Sequence, residues 1–253
     1  PLYEPLKQAG ALYGDTFGWE RAKWYAAKDE KENYSFRRNN SFAAVAKECK
    51  VVRERVGLTD LTSFSKYEVS GTDAQSFLER LCANRVPTKA GGIVLSQMLT
   101  EKGGIESEAT IACLAENHYY LLSAAVAELH DFDWLVQHIQ KGEGVSVTNV
   151  TEDFGVLLLT GPLSRDVLSI LTETNLSNES GFTWMRAREI SVSGIPVRAL
   201  RVSYVGELGW ELHCPMPRLA ELYDALMKAG ESHGIRRFGT YAMNSLRMEK
   251  AYK

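Results

Sequence analysis

KYEVSGTDAQSFLERLC, residues 66–82, changes its period in the middle, and that change decides the fold class. It reads as a short strand, a turn at Gly71, and then a helix that buries Phe77, Leu78 and Leu81. Upstream, SFAAVAKECKVVRERVG places Phe42, Val45, Ala46, Cys49, Val52 and Val56 at helical spacing behind Ser41, which predicts an amphipathic helix capped by Ser41 and ending at Gly57. Residues 1–40 include GALYGDTFGWERAKWY, rich in aromatics and glycine, and alternate poorly in either period. They read as an ordered, irregular lead-in.

Downstream, strands are expected at 93–99, 109–114 and 118–123, with turns at EKGG and AEN. AVAELHDFDWLVQHIQK carries Leu129, Phe132, Leu135, Val136 and Ile139 on one helical face, GVSVTNV alternates as a strand, and VLLLTG reads as a buried strand. PLSRDVLSILTE predicts a helix with Pro162 in its first turn. Strands at 186–193, 196–204 and 210–214 follow, then helices at 217–232 and from 239 onward. Helices interleaved with short strands and tight hairpins argue for an α+β fold with mostly antiparallel sheets.

Composition excludes several functions. The 253 residues are 45% hydrophobic and 24% charged, as in ordinary globular proteins, and a net charge of −3 offers no basic footprint for nucleic acid. Four dispersed cysteines without a C-x-x-C pair signal neither a zinc site nor a disulfide framework, and they point to a reducing compartment. No stretch approaches the ~20 apolar residues of a membrane span. PLYEPLKQAG has no signal-peptide character. The five histidines show no H-E-x-x-H and no i, i+4 pair, so no metal is expected. G-x-S-x-G and G-x-G-x-x-G are missing, and GELGWEL lacks the G-K-[ST] ending of a phosphate loop. With no initiator Met and a final NSLRMEKAYK that runs on in a helical pattern, the chain reads as a piece of something longer.

Two stretches carry candidate chemistry. MLTEKGGIESEATI sets Glu101, Glu106 and Glu108 around the Gly103–Gly104 turn, with Glu106 and Glu108 on one strand face, either as a solvated hairpin or as a carboxylate pair facing a ligand. In RVSYVGELGWELH, read as a hairpin, Tyr204 and Glu211 converge, with Gly206 and Gly209 allowing a close backbone approach. The tyrosine offers a flat face and a hydroxyl, and the carboxylate can accept paired hydrogen bonds from an amidine-like ring edge such as a pterin's. A purely structural hairpin is the other reading.

GWERAKWY, VGLTDLTSFSKYEVSGTDAQSFLERLCANRVP, MLTEKGGIESEATI, LTGPLSRDVL, SYVGELGWEL and NSLRMEK, in that order, resemble the folate-binding part of the dimethylglycine dehydrogenase and sarcosine dehydrogenase family. That part is similar to the aminomethyltransferase, or T-protein, of the glycine cleavage system. The resemblance implies a cloverleaf of subdomains: residues 1–63 plus 149–253 as a discontinuous first one, 64–148 as an inserted second one, and a C-terminal β-barrel expected to be missing here. It also implies an enzyme module. A flavin domain of the same polypeptide, absent from this chain and the place of FAD, oxidises a methylated amine to an iminium. The folate module then passes the one-carbon unit to tetrahydrofolate, giving methylene-tetrahydrofolate.

By the same resemblance Glu108 takes the place of the family's catalytic aspartate, Tyr204 and Glu211 match the residues that grip the pterin, and Ser123 stands where the T-protein has an asparagine. Leu95 replaces a tyrosine, Met243 an arginine, and Arg247 with Glu249 is expected to form a structural ion pair. The expected partners are folate and the iminium, with no nucleic acid and no membrane, in a bacterial cytoplasm or a mitochondrial matrix. The alternatives are a non-catalytic regulatory homologue, or a folate-dependent demethylase of another methylated amine or amine oxide.

Overall fold

The structure is a computed structural model that describes residues 1–27, 30–179 and 181–252. The chain begins with α1 (Tyr3–Gln8), β1 (Ala11–Thr16), β2 (Trp19–Tyr25), α2 (Phe42–Glu54) and β3 (Gly57–Asp60). β4 (Ser65–Ser70), α3 (Ala74–Leu81), β5 (Ile93–Leu99), β6 (Ile105–Ala115), β7 (His118–Ser123), α4 (Glu128–Gln137) and β8 (Ser146–Asn149) follow. Last come β9 (Phe154–Thr160), α5 (Ser164–Leu171), β10 (Ala187–Val192), β11 (Ile195–Leu200), β12 (Gly209–Pro215), α6 (Leu219–Gly230), β13 (Arg236–Arg237) and α7 (Thr240–Glu249).

Two compact units result. One comprises Pro1–Thr62, Gly155–Thr183 and Glu189–Lys253, and the other Ser63–Phe154 with Trp184–Arg188. The first holds a six-stranded sheet ordered β10-β11-β12-β9-β3-β13 and the separate β1–β2 hairpin. β3 runs antiparallel to β9, β11 antiparallel to β12, and β13 parallel to β3. Val156 to Leu159 are all at most 1% exposed, which explains the unbroken apolar run of β9: both of its faces are covered. Leu58, Leu157, Leu159, Val197, Trp210 and Leu212 pack with Val167 and Leu168 of α5 and with Leu219, Leu222 and Leu226 of α6. α2 packs on α7.

The second unit is a five-stranded sheet ordered β5-β6-β7-β4-β8, antiparallel throughout. One face buries Tyr67, Val69, Ile111, Cys113, Tyr119 and Leu121 against Phe77, Leu78 and Leu81 of α3 and Leu135 of α4. The opening motif folds as read, with Gly71 at φ 124°. There a Cβ would meet the Gly144 carbonyl oxygen at 2.1 Å, so only glycine fits.

Several elements differ from the periodicity reading. The lead-in is regular only in its first part, where α1 is followed by a hairpin whose turn residues Phe17 and Gly18 both have positive φ, 53° and 83°, as a two-residue type I′ turn requires; residues 30–40 hold no helix or strand, as read, and residues 28–29 lie outside the described residues. A bulge between Leu12 and Tyr13 shifts the hairpin's register, which hid the alternation. α2 stops at Glu54, and Gly57 opens β3, where a Cβ would press on Val52 and Phe238. The Ser41 hydroxyl donates to Asn39 Oδ1 at 2.6 Å instead of capping α2. Pro162 lies just outside α5, which starts at Ser164. β6 begins at Ile105 because Leu99 pairs with Ile105 across the turn. In α4, Leu129 and Val136 are exposed while Asp131 and Leu135 are buried, because Asp131 turns inward to accept a hydrogen bond. β11 ends at Leu200, so residues 201–208 are a loop.

Candidate functional site

The β5–β6 hairpin presents Glu108. Its turn is closed by Thr100 N–H donating to the Gly104 carbonyl at 2.9 Å, with Gly103 at φ 77°. Strand register sets Gln97 opposite Glu108, and the Gln97 amide donates to Glu108 Oε2 at 2.6 Å. The Glu108 carboxylate is exposed, so it keeps acceptor capacity toward solvent or a ligand. Glu106 does not share its surroundings: it pairs with His130 Nε2 at 2.8 Å.

Ser123 ends β7 and is buried, opposite Ser65 in register. Beside it the Tyr67 hydroxyl donates to the Glu128 carbonyl at 2.7 Å, and burial pushes that phenol up to about 12. Thr110 pairs with Leu122, so Glu108 shares a face with Thr110 and Leu122, while Ser123 projects to the other face with Ile111 and Leu121. The structure therefore does not bring Ser123 and Glu108 together. Leu95, opposite Thr110, is 46% exposed.

In the other unit, Tyr204 sits in the 201–208 loop rather than in a strand facing Glu211, whose β-partner is Leu200. Arg201 ends the strand by turning inward. It is 8% exposed, donates to the Phe182 carbonyl and to Asn178 Oδ1, and lies 5.6 Å over the Trp210 ring. Its pKa is lowered, first by burial and then by Arg165. The loop is tied at its far end, where the Thr160 and Ser164 hydroxyls both donate to the Leu208 carbonyl at 3.1 Å.

Tyr204 is half-buried, its ring stacked 6.3 Å from that of Tyr252, with the Arg247 guanidinium 5.7 Å from its centroid. Gly206, at φ 72°, turns the loop, and Glu207 then pairs with Arg53 of α2. Arg53 also holds Glu249 at 2.6 Å. The expected Arg247–Glu249 pair is thus absent: residues two apart on a helix do not face each other, and Arg247 bonds Asn244 Oδ1 and the Tyr252 carbonyl instead. Met243 is buried and belongs to the core. Glu211 retains 16% side-chain exposure, with Oε2 3.5 Å from Nε2 of fully buried His213 on the same strand face.

Sequence reasoning missed Arg53, which looked like one more polar residue of VVRER, and Glu48. The latter, 7% exposed on α2, accepts from Tyr25 N–H at 2.8 Å and Gly239 N–H at 2.9 Å. Burial outweighs these two hydrogen bonds and raises its pKa to about 7. Glu48 also lines a groove of about 680 Å³ edged by Lys47, Lys50, Arg55, Arg236 and Arg237, and no predicted site residue lines it. Among the described residues no cluster of His, Cys, Asp and Glu could hold a metal ion, and no helix is long and apolar enough to cross a membrane.

Residues 2–253 match the model of the GCVT N-terminal domain. Mitochondrial dimethylglycine dehydrogenase of Homo sapiens is 41% identical over 255 residues, covering 100% of this chain and 29% of that protein. Mitochondrial sarcosine dehydrogenase of Homo sapiens is 31% identical over 293 residues, covering 100% and 32%. The chain thus spans less than a third of the length of these curated relatives. Among solved structures, the glycine cleavage system aminomethyltransferase T from Bartonella henselae aligns with a TM-score of 0.81 at 26% identity, covering 99% of this chain and 62% of that one.

Proposed function

Because this chain belongs to the family of the GCVT N-terminal domain, we propose that it is the tetrahydrofolate-dependent one-carbon transfer module of a demethylating enzyme akin to dimethylglycine or sarcosine dehydrogenase. The observation that carries this reading is Glu108: an exposed carboxylate on an aminomethyltransferase fold, held in place by Gln97. Tetrahydrofolate, when bound, supplies the amine nitrogens that take up the one-carbon unit as methylene-tetrahydrofolate.

Each unit by itself offers groups suited to such a ligand. Glu211 accepts paired N–H bonds from the pterin edge, a role open to an acceptor-only carboxylate that is half-buried. Tyr204 contributes a ring face, and its own orientation is held by Tyr252 and Arg247. Glu108 places negative charge beside the reacting nitrogen and offsets the positive charge of the incoming iminium, an electrostatic role more than a strict general-base role. Ser123, on the opposite sheet face from Glu108, has at most a supporting place. The iminium would come from a methylated amine oxidised by an FAD domain of the same polypeptide, in a mitochondrial matrix or a bacterial cytoplasm.

Calorimetric titration of the full-length protein with tetrahydrofolate tests this. Binding that is weakened by Glu211→Ala supports it. No binding, or affinity unchanged by that substitution, overturns it.

A further inference from the structure

Four side chains connect the start of β6 to α4. Glu106 Oε1 lies 2.8 Å from His130 Nε2, His130 Nδ1 lies 3.0 Å from Asp131 Oδ1, and Ser107 Oγ donates to Asp131 Oδ2 at 2.8 Å. Each imidazole nitrogen therefore faces a carboxylate oxygen. A neutral imidazole has one N–H and one lone pair, so it can satisfy only one of these contacts, and the other would set a lone pair against an oxygen. An imidazolium donates to both. The charged groups that face His130 are Asp131 of its own helix and Glu106 of β6, and their hydrogen bonds raise its pKa above the ordinary histidine value. Asp131 has no solvent exposure at all, so its carboxylate depends on these partners.

Met98, opposite Ser107, is buried in the core of this sheet, but the end of the hairpin beyond it is not packed. Leu99 and Ile105, paired at the end of the hairpin, are exposed, and the β5–β6 register slips between Met98 and Leu99. Anchorage of residues 106 and 107 to α4 therefore rests on polar contacts more than on buried apolar area. Glu108 is the next residue along. Glu106, two positions before it on the same strand face, would be an uncompensated like charge without His130.

We propose that protonated His130 is a positioning residue for Glu108: bridging Glu106 and Asp131, it clamps the start of β6 to α4 and so fixes the strand from which Glu108 projects. This rests on the function proposed above. As His130 loses its proton one contact loses its donor, the clamp opens, and the placement of Glu108 loosens.

The test compares the full-length protein with its His130→Gln and His130→Arg variants. Hydrogen exchange of peptides spanning residues 105–108 is measured across pH, together with tetrahydrofolate affinity and the rate of folate-dependent one-carbon transfer. In the unaltered protein, protection of 105–108 should fall as pH rises through the His130 titration. His130→Gln should lack that step and stay at the unprotected level. Its transfer rate should drop about 10- to 100-fold, as sub-ångström to ångström misplacement does, with folate affinity nearly unchanged. Arginine donates to two carboxylates at any working pH, so His130→Arg should keep protection and rate at high pH. A pH step that persists in His130→Gln, or exchange unaffected by the substitution, overturns the clamp whatever the activity. Absence of folate-dependent transfer in the unaltered protein overturns the functional reading, and with it the role toward Glu108, while exchange still reports separately whether the clamp exists.

Discussion

Arg53, near the end of α2, forms an ion pair with Glu207, 154 positions later in the chain and three past Tyr204. The same guanidinium reaches Glu249 at 2.6 Å and the Leu246 carbonyl at 3.4 Å, both on α7. One planar fork thus joins two helices to the loop that carries the proposed pterin-stacking ring. Arg53 and Glu207 are about one-fifth exposed, so water screens this pair less than a surface one.

Arg53→Ala should therefore destabilise the protein by about 1 to 3 kcal/mol, the usual cost of removing one partner of a partly buried charge-assisted bond. Arg53→Lys should recover only part of this, because an ammonium lacks the fork that engages Glu207 and Glu249 together. Denaturant unfolding of the three proteins checks both statements. Tetrahydrofolate affinity should fall in the order of the stabilities if the loop matters for binding.

Glu48 makes stability depend on pH. Its folded pKa, raised from 4.5 to about 7 by burial, lies above its unfolded value, so folding favours the protonated form. Its contribution is fully present below pH 4.5 and is lost as pH rises through about 7. The size is about 3 kcal/mol at most by linkage. Unfolding measured from pH 5 to 8 should show stability declining across that window, and Glu48→Gln, which has no proton to lose, should flatten the decline. An unchanged slope in the variant would place the pH dependence elsewhere.

Glu108→Gln should slow one-carbon transfer by about 100- to 1,000-fold, the scale seen when one group that stabilises developing charge is removed. It should leave folate affinity close to that of the unaltered protein, since the amide can still accept from Gln97. Glu108→Asp, a shorter acid, should lose less. Single-turnover rates and calorimetry, measured side by side, separate the two effects.

Tyr204→Phe keeps the ring stacked on Tyr252 and under Arg247, and should hold folate affinity within a few-fold. Tyr204→Ala removes the face and should cost about 1 to 3 kcal/mol of binding, by analogy with the loss of an aromatic stacked on a nucleobase. Equal affinities for the two variants would remove the ring from the site.

Much of the fold was legible in the residues. The strand–turn–helix of residues 66–82, the buried run of β9 and the α+β class follow from hydrophobic period and glycine placement, which act over a few residues. The first hairpin escaped because its bulge offsets the alternation. Of the apolar face read over 129–139, Phe132, Leu135 and Ile139 do pack on the core, while Leu129 and Val136 are exposed and a buried aspartate stabilised by Ser107, a partner from another element, takes a core position instead. The candidate residues Glu108, Tyr204, Glu211 and Ser123 were all named from sequence; what was missing was their company.

The sequence by itself determined most of the segments that become strands and helices, the family to which the chain belongs, and the chemical type of each candidate side chain, because period, turn chemistry and motif order are local properties. Tertiary structure alone decided that Ser123 and Glu108 point to opposite faces of one sheet, that Tyr204 stands in a loop under Arg247, and that Arg53 meets Glu207 and Glu249. Register and long-range charge pairing depend on partners 154 and 196 positions away, and no local pattern encodes where such partners come to rest.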